Sequence, residues 1–292
     1  MRKILAPLLI GLGGFLVVLA VVAQTWAPGQ LERTPLDTDT TTLLSGEAAI
    51  TGGTPEPVLA FSQNRTDPEK SDDDVAVFEA SLCVVRDQGG IDSCVTADDP
   101  EGRLISASEE TFATDRHTGV TVDNGDYLPA DAPQQEGLQN KWPFGAEKKT
   151  YQVWDDVMRD AVDATYEGTE ELDGLETYHY VANAEADGIV VLADIEGSYS
   201  ATTDYYIEPH TGAIIKQVVH QERVGDGVGP LIEMDLAFTD DQVADNVDDA
   251  EDNVSQLRLI ETTVPIVGYV GGALALVAGI ALVVLGRRRA TD

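Results

Sequence analysis

Residues 264–289 read VPIVGYVGGALALVAGIALVVLGRRR, and the rest of the chain is organised around this stretch. The run from Ile266 to Leu285 gives about twenty uncharged, mostly apolar residues, enough to cross roughly 30 Å of hydrocarbon as a helix. Three arginines close the stretch, and the positive-inside tendency places such charges in the cytoplasm. The sequence therefore predicts a transmembrane helix over 264–285 and a cytoplasmic tail over 286–292.

The chain begins with a similar pattern, in which Met1-Arg2-Lys3 is followed by about twenty uncharged residues over 4–23. Two interpretations remain open, a transmembrane helix over 4–23 behind a cytoplasmic tip over 1–3, or a cleaved signal peptide ending at Val21-Val22-Ala23. The run is longer than the usual apolar region of a signal peptide, about 7–15 residues. Trp26 also suits a membrane interface. Both observations favour the uncleaved helix.

Basic residues at both ends predict a two-pass protein of the cell membrane, with both termini in the cytoplasm and residues 24–263 outside it. The outer part then holds 13 basic and 51 acidic residues, a net charge of −38. Such a field repels nucleic acid and anionic lipid head groups. About 240 residues are enough for one domain with its own core.

Turn signals between short β-prone stretches dominate the outer part. Asp173-Gly174 between two such stretches predicts a hairpin, and two turns share the tripeptide His-Thr-Gly, at 117–119 and 210–212. We interpret the shared tripeptide as similar turn chemistry rather than as a repeat. Residues 28–74 are expected to form edge strands and loops. The predicted fold class is a β-rich α+β domain, an antiparallel sheet or barrel flanked by the two transmembrane helices.

One amphipathic helix is expected over 239–262, before the second membrane span. Its apolar residues recur at steps of three, four and seven. They are Val243, Val247, Val254, Leu257 and Ile260. The opposite face is acidic, whereas interfacial helices usually carry basic residues there. We therefore expect this helix to cover the sheet rather than rest on the membrane.

The only two cysteines, Cys83 and Cys94, lie on the predicted outer side. The residues between them are typical of strand, glycine-rich turn and strand, which would bring the cysteines face to face across a hairpin. Outside the cytoplasm this spacing predicts a disulfide. Two free thiols are the alternative.

Catalytic and metal-binding patterns are absent from the sequence. The four histidines form no short ligand pair of the kind that holds zinc. No Gly-x-Ser-x-Gly elbow and no phosphate-binding glycine loop ahead of a helix is present. We expect no catalytic residues, no metal, no cofactor and no enzymatic activity.

The segment from Lys141 to Trp154 is the candidate ligand site, because aromatic rings can hold an acyl chain while lysines meet a head group. Its candidate residues are Lys141, Trp142, Phe144, Lys148, Lys149, Tyr151 and Trp154. In the alternative interpretation the rings anchor the core, and the lysines partly offset the acidic field.

A face of small residues in the second membrane span predicts close packing between helices in lipid. It consists of Gly268, Gly272, Ala275 and Gly279. The partner is either the first helix of the same chain or a helix of a second copy, which would give a homo-oligomer.

Three stretches, Trp142–Trp154, Asp173–Tyr180 and Tyr206–Lys216, resemble a known family. With a helix at each end, they resemble an actinobacterial membrane-protein family of unknown function that is labelled PorA-like porin. The resemblance spans nearly the whole chain and implies no functional residues. The layout is also similar to that of the scavenger receptor class B family, which implies, by analogy, an ectodomain with an apolar tunnel for lipids.

Three functions follow as hypotheses for this cell-envelope protein. The first is binding or transfer of a lipid or other apolar molecule by the ectodomain, with membrane lipid as the expected partner. The second is a pore-forming oligomer, and the third is a structural or protein-interaction scaffold of the envelope.

Overall fold

The computed structural model of the chain describes residues 2–288, so Met1 and residues 289–292, parts of the two predicted cytoplasmic tips, lie outside the described residues. The helices are α1 (Arg2–Thr25), α2 (Pro28–Leu31), α3 (Asp240–Arg258) and α4 (Val264–Arg288), with a π-helical segment at Leu259–Thr263. The strands are β1 (Asp39–Ile50), β2 (Glu56–Thr66), β3 (Val75–Arg86), β4 (Leu104–Asp115), β5 (Tyr151–Asp155), β6 (Asp160–Leu172), β7 (Leu175–Leu192), β8 (Ile195–Ile207), β9 (Ile214–Gly225) and β10 (Gly229–Phe238).

The chain divides into two compact units. The helical unit comprises Met1–Arg33 and Asp252–Asp292, and the sheet unit comprises Thr34–Glu251. Among residues 2–288, two helical stretches are long and apolar enough to cross a membrane, Ile4–Thr25 and a span within Asp240–Leu285.

In the helical unit, α1 and α4 pack against each other along their small residues. A Cβ atom added to Gly13 would lie 2.7 Å from Leu276 Cγ, and one added to Gly272 would lie 2.9 Å from the Gly13 carbonyl oxygen. Gly268 and Gly279 are equally close to α1. Small residues permit this approach between membrane helices. The structure therefore contains the pairing within one chain, and pairing between chains stays a prediction.

The ten strands form one antiparallel sheet in the order β4-β3-β2-β1-β10-β9-β8-β7-β6-β5. The first and last strands meet near its middle, where Leu44 on β1 lies opposite Phe238 on β10. The sheet curls strongly, because the Tyr199 hydroxyl on β8 donates to Asp155 Oδ2 on β5 across 2.8 Å although two strands separate them. The predicted β-rich class, an antiparallel, barrel-like sheet with a helix at each end, is confirmed.

The prediction of edge strands and loops over 28–74 is wrong for β1 and β2. Both strands lie inside the sheet, and Leu44 and Ala60 on them are buried. The threonine-rich start of β1 is polar, but threonine is β-branched and fits a pleated surface. Its partners on β10 lie at the far end of the domain sequence, so no local pattern shows that β1 is central.

β4 and β5 are the edge strands, and the connection 116–150 links them. Isolated bridges join Thr114 to Thr121, Val120 to Leu138, and Leu138 to Val153. Within residues 2–288 no strand pairs with the outward side of β4 from Leu104 to Phe112. We call the gap between β4 and β5 the seam. It is bridged at the end where β4 finishes and is unpaired along most of β4.

The two faces of the sheet differ in charge. The inner face, which lies on the concave side, includes the buried side chains of Leu44, Val84 and Tyr180. The outer face carries ion pairs such as Arg65 with Glu79, 2.6 Å apart. Alternation along each strand therefore separates an inner, mostly uncharged surface from an outer, charged one.

The expected disulfide joins Cys83 and Cys94, but the predicted hairpin between them is wrong. β3 ends at Arg86, and no strand is present from there to Leu104. Strand β4 already occupies the free edge of β3, so a second local strand has no partner. The loop instead packs Ile91 and Val95 over a buried cluster on the outer face that contains Cys83.

Helix α3 packs on the sheet unit through part of the predicted apolar stripe, Val243 and Val247, and through Ala250, which the prediction did not include. Val247 and Ala250 contact Leu175 and Ile215 in one buried cluster. Asn246 Nδ2 donates to the Ile215 carbonyl oxygen at 3.0 Å. These contacts hold the first turns of α3 across the strand ends at which β7 and β9 begin.

Candidate binding site

Trp142 fills one end of the concave inner face. It is 1% exposed, and its ring centroid lies 4.9 Å from that of Tyr205, 5.5 Å from Tyr180 and 6.5 Å from Tyr151. Its indole Nε1 has no hydrogen-bond partner among the described residues. In this structure Trp142 therefore serves as an interior anchor, and its role as a ligand contact stays a prediction.

The two His-Thr-Gly turns hold the segment that carries Trp142. Trp142 N–H donates to the Gly212 carbonyl oxygen (2.8 Å), and Ala146 N–H donates to the Pro209 carbonyl oxygen (2.7 Å). From the other turn, the His117 carbonyl oxygen accepts from Phe144 N–H at 3.3 Å. The two turns that share the tripeptide therefore both hydrogen-bond to one segment, and we call each of these turns a clamp. Sequence reasoning missed this relation.

The two clamps are built alike. In the first, Asp115 Oδ1 accepts from the backbone and the hydroxyl of Thr118, at 2.7 and 2.9 Å. In the second, Glu208 Oε2 accepts from the backbone and the hydroxyl of Thr211, both at 2.7 Å. An acidic residue three positions before the threonine is the sequence signal that could have identified this common construction.

The three candidate lysines do not meet at one point. Lys141 Nζ lies 3.4 Å from the Phe144 ring centroid, and burial lowers the pKa of Lys141 to about 7. Lys148 is exposed and lies over the Tyr178 ring at 4.8 Å. Lys149 is exposed and pairs with Glu147. The three ammonium groups therefore have different immediate neighbours.

Trp154 does not join the aromatic cluster. Alternation along β5 places it on the opposite side of the strand from Tyr151 and Val153. Its side chain instead acts on Asp156, where it opposes the rise of the Asp156 pKa. The sequence-predicted set therefore splits between the Trp142 cluster and the seam.

A polar network at the seam is a feature that the sequence did not reveal. Gln135 Nε2 donates to Glu110 Oε2 on β4 at 3.0 Å, and the charge of Glu110 acts on Asp156, just after β5. Desolvation, followed by the charge of Glu110, raises the pKa of Asp156 to about 7. An Asp156 carboxyl group with this pKa is partly protonated near neutral pH.

Asp155 and Arg223 form the neighbouring part of this network. Asp155 Oδ2 accepts from the Tyr199 hydroxyl, whose ring centroid lies 5.9 Å from Arg223 Cζ. Burial lowers the pKa of Arg223, while Asp155 and Asp156 oppose that effect. Arg223 Nε has no hydrogen-bond partner among the described residues.

A cavity of about 370 Å³ lies elsewhere, across β7, β8 and β9. Its lining is mostly polar and consists of Glu185, Ala186, Asp187, Ser198, Tyr199, Ser200, Glu222 and Val224. It lacks the apolar lining of the lipid tunnel that the scavenger receptor layout implies, and this tunnel stays a prediction.

Three of the histidines each lie beside a carboxylate on the surface of the sheet unit. His179 Nε2 is 2.7 Å from Asp204 Oδ1, and His220 Nδ1 is 2.7 Å from Asp235 Oδ1. Across residues 2–288 no three His, Cys, Asp or Glu side chains are grouped to hold a metal ion. A second carboxylate lies near each of these two, Glu170 at 3.6 Å from His179 Nδ1 and Glu222 at 3.7 Å from His220 Nε2. In the structure these histidines therefore act as partners of carboxylates.

Comparison with known proteins identifies one family. A family model described as Porin PorA matches residues 5–281. A curated protein named Porin PorA from Corynebacterium amycolatum is 25% identical over 228 residues, which cover 62% of this chain and 57% of that protein. The chain thus spans little more than half the length of this relative.

One solved structure is only distantly similar. It is a LolA superfamily protein from Nitrosomonas europaea, 10% identical, and the alignment covers 72% of this chain and 90% of that one. Its TM-score of 0.14 is too low to support any argument about fold or ligand.

Proposed function

The chain belongs to the Porin PorA family, and on that premise we propose that this membrane protein of the cell envelope binds a lipid or another amphipathic molecule on the inner face of its sheet. The proposal is carried by the absence of charge from that face on three neighbouring strands. Along β1 from Thr40 to Ile50, β2 from Val58 to Thr66 and β3 from Ala76 to Val84, no inner-face residue is charged.

The composition of the chain makes this absence informative. Charged residues make up 24% of the sequence, and its net charge is −34. The same uncharged surface continues on β10 from Ile232 to Phe238 and on β8 from Gly197 to Ile207. Strand β9, which lies between β10 and β8, places Arg223 on the same face, so the concave surface is mostly uncharged. A mostly uncharged concave surface in so acidic a protein is what an apolar ligand requires.

Leu82 marks the part of the inner face that a ligand can reach. It lies opposite Ser62 on β2 and Ser108 on β4 and is 40% exposed, although its neighbour Val84 is buried. An apolar side chain left open on a concave face is a favourable contact for an acyl chain, about 25 cal/mol for each Å² removed from water.

Lipid that co-purifies with the protein tests the proposal. The full chain is purified in detergent, extracted with organic solvent and analysed by mass spectrometry. We compare Leu82→Glu on the inner face with Ser81→Glu on the outer face of the same strand. The lipid-to-protein ratio should fall for Leu82→Glu only, because only that charge enters the ligand surface. Equal ratios in the two variants, or no specific lipid in the unmodified chain, would contradict the proposal.

A pore-forming oligomer is the second candidate, and the family description favours it. The spans expose large apolar side chains such as Leu274, Val277 and Leu8, at 67, 67 and 62%. Because these apolar side chains do not suit a water-filled channel, a pore formed by several copies would have to be lined by other surfaces of the protein. Deleting either helix should abolish planar-bilayer conductance if the helices form the pore, and persistence of the current would count against it. We propose no catalytic role.

A further inference from the structure

We propose that Lys141, held over the Phe144 ring, binds the anionic head group of the amphipathic ligand through negatively charged oxygen atoms, as in a carboxylate or a phosphate. The inference rests on the proposed function, since the hydrocarbon of that ligand would lie on the inner face. It goes beyond that function because it assigns a charge to the ligand and selects one of the three candidate lysines for its head group.

Lys141 has no counter-ion within the described chain. Its Nζ lies 3.4 Å from the Phe144 ring centroid, and among residues 2–288 it forms no ion pair with a carboxylate. Other basic side chains of the sheet unit do form such pairs, Arg65 with Glu79 at 2.6 Å, Lys70 with Asp67 at 2.8 Å and Arg86 with Glu56 at 2.7 Å. In a chain with 52 acidic residues, the desolvated ammonium group of Lys141 is thus left to pair with an external anion.

The surroundings of Lys141 hold it in place without adding negative charge. Gly119 of the first clamp packs directly on it, since a Cβ added there would lie 3.1 Å from Lys141 Cγ and 3.0 Å from the Lys141 carbonyl oxygen. The Phe144 ring stacks on the His117 ring with their centroids 5.9 Å apart. A cation that is already positioned loses little conformational entropy when its ligand binds.

The residues on either side of Lys141 carry unpaired hydrogen-bond donors. Gln139 Nε2 and Trp142 Nε1 are buried and have no hydrogen-bond partner among the described residues. Buried polar atoms are almost always paired, so these donors call for acceptor atoms that the chain does not supply. Asn140 Oδ1 is unpaired as well, and a hydroxyl group on the ligand would satisfy it. This segment therefore favours a head group that is rich in oxygen.

The position of Lys141 fits a ligand that extends along the inner face. Lys141 directly precedes Trp142, which fills one end of that face. Asp115, in the clamp that packs on Lys141, lies opposite Val75 on β3. Leu82, the open apolar contact, is seven residues further along β3, a distance of about 24 Å at about 3.4 Å per residue. A ligand that reaches both Lys141 and Leu82 therefore needs a long hydrocarbon.

An anion fits this place better than a metal ion or an organic cation. Among residues 2–288 no three His, Cys, Asp or Glu side chains are grouped for a metal, and a cation would meet the ammonium group. The other two candidate lysines fit less well, because Lys149 pairs with Glu147 and Lys148 is exposed. Lys141 is therefore the candidate lysine for an anionic head group.

The test is calorimetric titration of the full chain in an uncharged maltoside detergent, with the detergent alone as the blank. Hexanoate, hexyl phosphate and 1-hexanol share one hydrocarbon and differ in charge, and inorganic phosphate supplies the anion without a hydrocarbon. Hexanoate and hexyl phosphate should bind more tightly than 1-hexanol and inorganic phosphate. Lys141→Met, which keeps an unbranched apolar side chain, should weaken binding of both amphipathic anions about tenfold. Lys70→Met removes an exposed lysine that pairs with Asp67 and is the matched control.

Proton uptake supplies a second readout, which the unmodified chain itself provides. Burial lowers the pKa of Lys141 to about 7, and a bound anion should raise it. Titrations of hexanoate in buffers of different ionisation enthalpy should therefore show uptake of close to one proton at about pH 8 and almost none at about pH 6. His117 is the titratable group stacked on the Phe144 ring, and Lys141→Met retains it, so uptake that persists in this variant would belong to His117.

Several outcomes would overturn the inference. They are binding of 1-hexanol as tight as that of hexanoate, inorganic phosphate as tight as hexyl phosphate, unchanged binding in Lys141→Met, the same loss in Lys70→Met, and proton uptake that persists without Lys141. Absence of binding by both amphipathic anions would also show that the anion site is wrong. The lipid that co-purifies with Leu82→Glu and Ser81→Glu still decides the proposed function separately.

Discussion

At the scale of single residues, backbone contacts constrain the chain more tightly than its charged groups do. Gly212 shows this most clearly. Its φ is +74°, and an added Cβ would lie 2.0 Å from the Trp142 carbonyl oxygen. Because glycine has no side chain, the turn that contains Gly212 can pack directly against the backbone of the segment that carries Trp142. The His-Thr-Gly motif is therefore part of the core.

Gly212→Ala should destabilise the sheet unit by about 3 kcal/mol, because the new methyl group meets backbone and the left-handed conformation disfavours alanine. Gly168→Ala is the control, since a Cβ there meets nothing within 4 Å. Urea unfolding followed by tryptophan fluorescence measures both variants. A midpoint for Gly212→Ala equal to that of the control would show that the clamp can shift at little cost.

Asp156 should make stability fall as pH rises towards neutrality. Its pKa is raised from 3.8 to about 7 in the folded chain, so the folded state holds a proton that the unfolded state releases. Between these values the contribution of protonated Asp156 is lost as pH rises. The urea midpoint of Asp156→Asn, relative to the unmodified chain, should therefore increase from about pH 5 to about pH 8. A difference that is the same at every pH would mean that Asp156 ionises without a cost from the fold.

At the scale of elements, the pairing of α1 with α4 assigns a use to the small residues of both helices. The two faces meet so closely that Gly13 and Gly272 contact through backbone atoms. The surface that α1 and α4 leave exposed consists mainly of leucine, valine and isoleucine side chains, which are compatible with contact to lipid. The small-residue face therefore belongs to the chain's own packing in this structure.

Gly13→Leu should separate α1 from α4, whereas Gly14→Leu should not. A Cβ on Gly13 meets Leu276 and backbone of α4 within 2.9 Å, while one on Gly14 meets nothing within 4 Å. Cysteines placed at Gln24 and Tyr269, whose side chains hydrogen-bond at 3.0 Å, report the pairing by cross-linking with a short bismaleimide. The yield should drop for Gly13→Leu only. Equal yields would indicate that the helices adjust around the larger residue.

At the scale of the whole molecule, the chain combines a pair of apolar helices with a sheet unit that has a large net negative charge and an inner face with few charged residues. A membrane protein with a separate water-exposed domain is consistent with both compositions. Which side of the membrane the sheet unit occupies remains a prediction of the charge pattern at the two ends.

Labelling of intact cells tests that topology. A cysteine at Lys70, in an exposed turn of the sheet unit, should react with a membrane-impermeant maleimide. A cysteine at Ala290 should react only after the membrane is permeabilised, because the arginines before it hold the tail in the cytoplasm. The reverse pattern would invert the predicted topology and remove the oxidising environment that the disulfide requires.

The sequence by itself determined the parts of this protein that depend on local pattern. The two apolar runs, the Asp173-Gly174 hairpin, the acidic amphipathic helix and the antiparallel β class each follow from neighbours along the chain, because helix and turn contacts span only a few residues.

Only the tertiary structure decided what depends on residues far apart in sequence. It placed β1 beside β10, brought both His-Thr-Gly turns onto one segment and separated Trp154 from Trp142. It also brought Asp155 on β5 to Tyr199 on β8 across the curled sheet. The physical reason is that curvature and edge-to-edge approach arise from the sum of strand twists over the whole sheet, which no single stretch of sequence encodes.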